Sequence, residues 1–307
     1  MTGPKKTGLT GIVPILLTPF RRDLTIDYAS LRREVDATLA TGVHGVGIAI
    51  GSEIFKLTPE ERREILRAVV DQVEGRVPVI MNTSAPGTAP AVQLAIEAAD
   101  AGADRLMIWP PDFFALGPDP VIEHLSRIAE AADLPIILQD VPQAPISPTL
   151  ALRIAEAVPL VDTIKVETNP TVAQAGAMVR AVEGKLAVLG GAGGGTLVEE
   201  HRRGARGTMP FASQAAEFMA VWTALEAGQE DEAARIVETD ILPVSRLGFQ
   251  SGDMFYHVHK ALLKQAGVFA NTLVRPPTAQ PDEITLGEME RLLQRTAKPK
   301  KRQKESA

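Results

Sequence analysis

Cysteine is absent from this 307-residue chain. That absence excludes disulfides, zinc–thiolate centres and a cysteine nucleophile, and it fits a reducing, cytoplasmic setting. Aromatic residues are scarce at 4%, and only two are tyrosines, Tyr28 and Tyr256, so a tyrosine acid/base has few places to sit. Of the five histidines only His257 and His259 are close in sequence. Two positions apart on a helix point to different faces, which argues against a histidine metal site. No Gly-x-Ser-x-Gly elbow supports a serine triad. No apolar run approaches the ~20 residues of a membrane span, and Met1 to Thr10 lacks the apolar centre of a signal peptide. Positive charge is in deficit, with a net charge of −6, so no nucleic-acid partner is expected. The basic run Lys298 to Lys304 reads as part of a disordered tail, 298–307.

What the chain does have is alternation. Short apolar runs, several of them β-branched, recur at residues 11–17, 45–50, 77–81, 105–108, 135–139, 163–167, 186–189 and 207–210. Between them lie helical stretches with clear starts. Thr58-Pro59-Glu60-Glu61 combines a capping residue, a first-turn proline and the Glu of a capping box, and Ser147-Pro148 starts another helix. Eight strands each followed by a helix predict an α/β fold, a (β/α)8 TIM barrel over residues 1–214. An open doubly wound sheet is the alternative, because periodicity does not decide closure. Residues 215–297 read as a C-terminal helical extension, with helices near 217–227, 230–241, 256–265 and 285–295.

Lys165 lies inside the run Thr163-Ile164-Lys165-Val166-Glu167 and is the only lysine between Lys56 and Lys185. Lysine is seldom buried, so its place in a strand needs a reason. Snorkelling to solvent is one. The other is chemical, since an amine in a dry pocket becomes a nucleophile that condenses with a carbonyl. Barrel catalytic groups come from strand C-termini and the loops after them, and here those are polar and glycine-rich: Gly51-Ser52-Glu53, Asn82-Thr83-Ser84, Gln139-Asp140, Lys165 with Glu167, and Gly190 to Gly195. The glycine run serves either tight turns or backbone donation to an anion; it is not a P-loop, since no Gly-Lys-Ser/Thr follows. Glu167 shares a strand face with Lys165 and has a titratable carboxyl. Glu53 is either a site carboxylate or half of a buried ion pair.

In its opening Gly11-Ile12-Val13-Pro14-Ile15-Leu16-Leu17-Thr18-Pro19-Phe20, its Gly51-Ser52-Glu53 loop, its Asp140-Val141-Pro142 turn and its Ile164-Lys165 strand, the chain resembles the dihydrodipicolinate synthase and N-acetylneuraminate lyase family. The likeness runs from Gly11 to about Ala297. It implies a Schiff base between Lys165 and a 2-oxo acid, whose carboxylate the Gly51-Ser52 loop holds. The departures narrow the expectation. The family's Gly-Thr-Thr-Gly-Glu falls on Ala49-Ile50-Gly51-Ser52-Glu53, its acid/base tyrosine on Gln139, its second-subunit tyrosine within Trp109 to Phe114, and the synthases' arginine near Ala144. Ser52-Glu53-x-Phe55, Gln139-Asp140, Lys165-x-Glu167 and Gln250-Ser251-Gly252 look more like L-2-keto-3-deoxyarabonate dehydratases. The expectation is a lyase, a dehydratase or aldolase of a 2-keto-3-deoxy sugar acid. Its catalytic residues are Lys165, Gln139 and Glu167, and its substrate-binding residues Gly51, Ser52, Glu53, Gly191, Gly193 and Met209. It needs no metal or organic cofactor, has no membrane partner, and forms a homo-oligomer, dimer or tetramer. A pyruvate-dependent aldolase of the synthase type and a non-catalytic sugar-acid binder are the competing readings.

Overall fold

The computed structural model describes residues 8–297 apart from 115 and 183, so the basic tail expected at 298–307 lies outside the described residues. Eight strands alternate with helices: β1 (Gly11–Ile12), β2 (Val46–Ile48), β3 (Val79–Asn82), β4 (Arg105–Ile108), β5 (Ile136–Asp140), β6 (Val161–Val166), β7 (Ala187–Gly190) and β8 (Gly207–Thr208). Every pairing is parallel, in the order β1-β8-β7-β6-β5-β4-β3-β2. Beyond β1 a parallel bridge from Ile15 to Gly47 joins the two ends of that order. The Leu16 N–H donates to the Gly47 carbonyl at 2.9 Å, and the Gly47 N–H to the Pro14 carbonyl at 2.8 Å. The sheet is therefore the expected TIM barrel. The predicted first strand, 11–17, is regular only over Gly11–Ile12, because Pro14 has no N–H to give the ladder.

The barrel helices are α1 (Tyr28–Leu39), α2 (Pro59–Val73), α3 (Thr88–Asp100), α4 (Pro118–Ala132), α5 (Pro148–Ala157), α6 (Thr171–Val182), α7 (Leu197–His201) and α8 (Ala215–Glu226). Thr58 and Glu61 form the predicted reciprocal capping box on α2, and Ser147 caps α5. α4 starts at Pro118 rather than near Pro120; either proline suits a first turn, and Gly117 supplies the extended cap. Phe218, Val221, Trp222 and Leu225 of α8 belong to the same core as the barrel strands.

After α8 come α9 (Glu230–Ile236), α10 (Leu242–Gly248), α11 (Met254–Gln265) and α12 (Glu283–Thr296). The helix expected over 230–241 continues past that point. A π-turn, Val237–Ile241, links α9 to α10 just ahead of Pro243, whose missing N–H interrupts the i→i−4 ladder.

Strand alternation sorts the core into two layers. Val79, Met81, Leu106, Ile108, Ile136, Leu138, Ile164, Val166 and Val188 face the helices. Ile80, Met107, Ile137 and Leu189 turn inward and join Leu9, Val13, Ile15, Ala49 and Met209 in a separate buried cluster. That inner plug closes the barrel beneath the site.

Candidate active site

The same alternation fixes what stands above the plug. Two positions beyond Ile80 and Ile137 are Asn82 and Gln139, at the C-terminal ends of β3 and β5. In register with Gln139 on one side and Leu189 on the other is Lys165 of β6. Its side chain therefore enters the barrel and is only 5% exposed, which excludes the snorkelling alternative.

Lys165 Nζ lies 3.0 Å from Glu167 Oε1. The other carboxylate oxygen, Oε2, accepts from Gln139 Nε2 at 2.6 Å, and Oε1 also accepts the Ala192 N–H at 3.0 Å. Gln139 Oε1 in turn accepts from Asn82 Nδ2 at 3.3 Å. One amide orientation serves both neighbours of Gln139, so the chain Asn82–Gln139–Glu167–Lys165 crosses three strands with every donor facing an acceptor. Burial pushes the Glu167 carboxyl up. The Lys165 charge, the Ala192 N–H and the Gln139 amide outweigh it and hold the group below its ordinary 4.5. Glu167 is thus a carboxylate at working pH, in hydrogen-bond reach of the amine.

Gln139, Lys165, Glu167 and Ala192 line a cavity of about 350 Å³, together with Gly51, Gly193 and Met209, while Asn82 stands behind Gln139. The cavity's outer wall is apolar, built from Val141, Pro142, Phe211, Phe249 and Phe255, with neutral Gln143 and Asn169 at the rim. The Phe211 and Phe255 rings are 5.3 Å apart, and Phe249 lies 6.4 Å from Phe255. Lys165 and Glu167 are the only charged side chains among the described lining residues. A wider groove of about 960 Å³ between α3 and α4 is lined by Thr88, Gln93, Glu123, His124 and Arg127, with no lysine and no strand residue.

The glycine run makes the tight turns read from it, and an anion its backbone serves is the protein's own Glu167 carboxylate. Ala192, Gly193 and Gly194 take positive φ values of 49°, 79° and 72°, and the turn they make presents the Ala192 N–H to Glu167. Gly191 does not line the cavity, but a Cβ there would sit 2.4 Å from Glu167 Cγ, so it leaves room for that carboxylate. Gly51 lines the cavity, and a Cβ on it would meet the Phe211 ring at 2.8 Å and Ile15 at 2.9 Å.

Two of the expected substrate-binding side chains point elsewhere. Ser52 Oγ donates to the Leu16 carbonyl at 2.5 Å and accepts the Ala49 N–H at 3.2 Å, so it braces the loop. Glu53 is fully buried away from the cavity, where Lys260 Nζ (2.5 Å), Lys56 Nζ (3.1 Å) and the Arg275 N–H (3.3 Å) donate to it. It is the buried ion pair rather than the site carboxylate. His257 pairs with Thr278 and His259 with Ser213, and burial pushes the His259 imidazole down to about 3.

Two of the residues at the site were not singled out in the sequence, whereas Asn82 was among the strand-end candidates and gained its place from the Gln139 contact. The two, Phe249 and Phe255, carried no signal, because the C-terminal helices that bring them in have no pattern pointing at the barrel mouth.

The chain shares sequence and fold with known proteins. A 4-hydroxy-tetrahydrodipicolinate synthase of Salinibacter ruber is 40% identical over 160 residues, 50% of this chain and 53% of that one. Its counterpart in Psychrobacter arcticus is 32% identical over 195 residues, 62% of this chain and 64% of that one. The matched stretch thus spans about half to under two thirds of these relatives' length. Among solved structures, the dihydrodipicolinate synthase of Rhodopseudomonas palustris superposes with a TM-score of 0.85 at 28% identity, covering 93% of this chain and 97% of that one. YagE of E. coli K12, a member of the dihydrodipicolinic acid synthase family solved in complex with pyruvate, gives 0.85 at 25% identity over the same shares. The dihydrodipicolinate synthetase family model matches residues 8–296, nearly the whole chain, and the protein belongs to that family.

Proposed function

We propose that this protein is a lysine-dependent lyase that forms a Schiff base with a 2-oxo acid, and that within this class it dehydrates or cleaves a 2-keto-3-deoxy sugar acid. The observation that carries the reading is the Lys165–Glu167 pair, 3.0 Å apart in the wall of one cavity, with Lys165 buried and Glu167 half-buried. The pyruvate complex of YagE supports the class of ligand.

In this reading the substrate carboxylate lies against the Gly51 loop and its C2 carbonyl faces Lys165. Glu167 takes a proton from the ammonium, and the free amine adds to C2. Loss of the carbinolamine hydroxyl as water, with a proton returned by Glu167, leaves the iminium. That group draws electrons from C3, and Glu167, again a carboxylate, removes a C3 proton to give the enamine. The enamine expels the C4 hydroxyl, which leaves as water with the proton from Glu167. In the aldolase variant Glu167 instead takes the C4 hydroxyl proton, the C3–C4 bond breaks to an aldehyde and the pyruvate enamine, and Glu167 returns that proton to C3. In both routes water then adds to the C2 iminium and breaks the C2–N bond, releasing the 2-oxo acid and the Lys165 ammonium. Gln139 does not exchange protons at ordinary pH; its 2.6 Å bond aims the carboxylate.

The apolar outer wall favours a substrate whose far end is uncharged, because a second anion there would lose hydration and find no cationic side chain. A pyruvate-dependent aldol addition is the second reading, favoured by the name and 40% identity of the Salinibacter relative. Gln139 in the place of a tyrosine weighs against it. Phe113, Phe114 and Leu116, all exposed between β4 and α4, support self-association of the chain.

The discriminating experiment is a product assay on five- and six-carbon 2-keto-3-deoxy acids, following both substrate loss and pyruvate. Consumption without pyruvate supports the dehydratase, and pyruvate in equal amount the aldolase. Rapid joint consumption of pyruvate and aspartate semialdehyde, with no turnover of the sugar acids, would replace both with the synthase reaction.

A further inference from the structure

We infer that Tyr256 and Lys260, one turn apart on α11, are positioning residues that aim the Gly51 N–H at the substrate carboxylate. The inference rests on the Schiff-base reading above and adds how the carboxylate end of the site is set. Tyr256 and Lys260 stand at i and i+4, so both side chains leave the same helix face. Both are fully buried, and both reach the loop after β2. Tyr256 Oη donates to the Ile50 carbonyl at 2.5 Å, and Lys260 Nζ donates to Glu53 Oε1 at 2.5 Å.

The consequence follows from peptide geometry. The Ile50 carbonyl and the Gly51 N–H belong to one planar, trans unit, so they point in opposite directions. The Ile50 oxygen takes the Glu53 N–H at 2.9 Å as well as the Tyr256 hydroxyl. With its oxygen held from the α11 side, the unit turns its N–H the other way, and Gly51 lines the cavity. Two residues after Gly51, Glu53 adopts a left-handed conformation, φ 57°, uncommon for a residue with a side chain. Lys260, Lys56 and the Arg275 N–H hold its carboxylate and keep that bend in place. Burial, then the nearby Glu53 and Asp253 carboxylates, push the Tyr256 phenol up, so it remains a donor at working pH. No other described element supplies a side-chain donor to the Ile50 carbonyl.

A brace that merely stabilises the fold predicts no preference among ligands, and that separates the two cases. Cyanoborohydride traps imines, and pyruvate and acetone are both methyl ketones, differing in the carboxylate. In Tyr256→Phe we expect the pyruvate concentration for half-maximal labelling of Lys165 to rise five- to twentyfold, with the plateau rate within twofold. Acetone labelling should stay within twofold of the unaltered protein. Glu53→Gln, which keeps an acceptor for Lys260, should move pyruvate the same way by a smaller factor and serves should Tyr256→Phe not fold. Parallel loss of pyruvate and acetone labelling, or an unchanged pyruvate half-saturation in both variants, would overturn the inference. Failure of pyruvate to label Lys165 in the unaltered protein is a different result: it defeats the Schiff-base reading itself.

Discussion

At the scale of single residues, the chemistry depends on an ion pair that has to remain useful while buried. An isolated carboxylate in this position would be driven neutral by desolvation. Lys165, the Ala192 N–H and Gln139 reverse that and leave Glu167 ionised. Its pKa is depressed, so its contribution to stability is present above 4.5 and is lost as pH falls through the lower folded value. Glu167→Gln keeps the shape and the Gln139 contact but cannot carry a proton. Turnover should fall about 10²- to 10⁴-fold, with Lys165 still forming an adduct; steady-state rates alongside mass spectrometry read both. A loss under tenfold would remove Glu167 from proton transfer. Lys165, Glu167 and Gln139 were legible in the sequence because strand alternation and strand ends are local features. For Glu53 the two readable roles could not be told apart, because the lysine that claims it lies 207 positions away and pairing at that range leaves no local trace.

At the scale of elements, the β/α alternation and the helix starts at Thr58 and Ser147 were readable from period and capping chemistry. The ends of β1 and the continuation through α10 were not, since proline at 14 and 243 marks a disturbance without saying how the backbone resolves it. The short α7 carries a further consequence. Glu200 is fully buried beneath the glycine loop, where one of its oxygens, Oε2, has no hydrogen-bond partner and a Cβ on Gly190 would lie 2.0 Å from that oxygen. Burial pushes its carboxyl up to about 7, only partly offset by hydroxyls of Thr196 and Thr171. The folded chain therefore keeps this proton up to about pH 7, whereas the unfolded chain releases it near 4.5. The stabilisation is complete below 4.5 and is lost as pH rises through 7. Glu200→Gln should raise the melting temperature at pH 8, by a free energy on the order of 3 kcal/mol, with the gain vanishing at pH 4.5. An equal effect at both pH values would mean that Glu200 does not titrate in this interval.

At the scale of the whole molecule, the barrel closes through one bridge, and the helices after it bring two of the site's aromatic side chains and the grip on the Gly51 loop. Eight strands made a closed barrel the expectation over an open sheet, and the Ile15–Gly47 bridge decides it, whereas the reach of α11 back to the loop after β2 is a property of the assembled fold. Phe113 and Phe114, 76% and 71% accessible and edge-to-face at 4.7 Å, are the most exposed phenylalanines among the described residues, an apolar pair that is costly to leave in water. Sedimentation should find a dimer or larger assembly, and Phe113→Ser with Phe114→Ser should shift it toward monomer. A monomer in the unaltered protein at high concentration would remove the self-association reading.

The central claim, an imine at one buried amine, is tested most directly by reducing the protein with borohydride in the presence of pyruvate and mapping the product by mass spectrometry. The account predicts the reduced pyruvate adduct on the peptide containing Lys165, and none in Lys165→Arg. An adduct on Lys56 or Lys185 instead, or no adduct under conditions that label a known lysine-dependent aldolase, would contradict it.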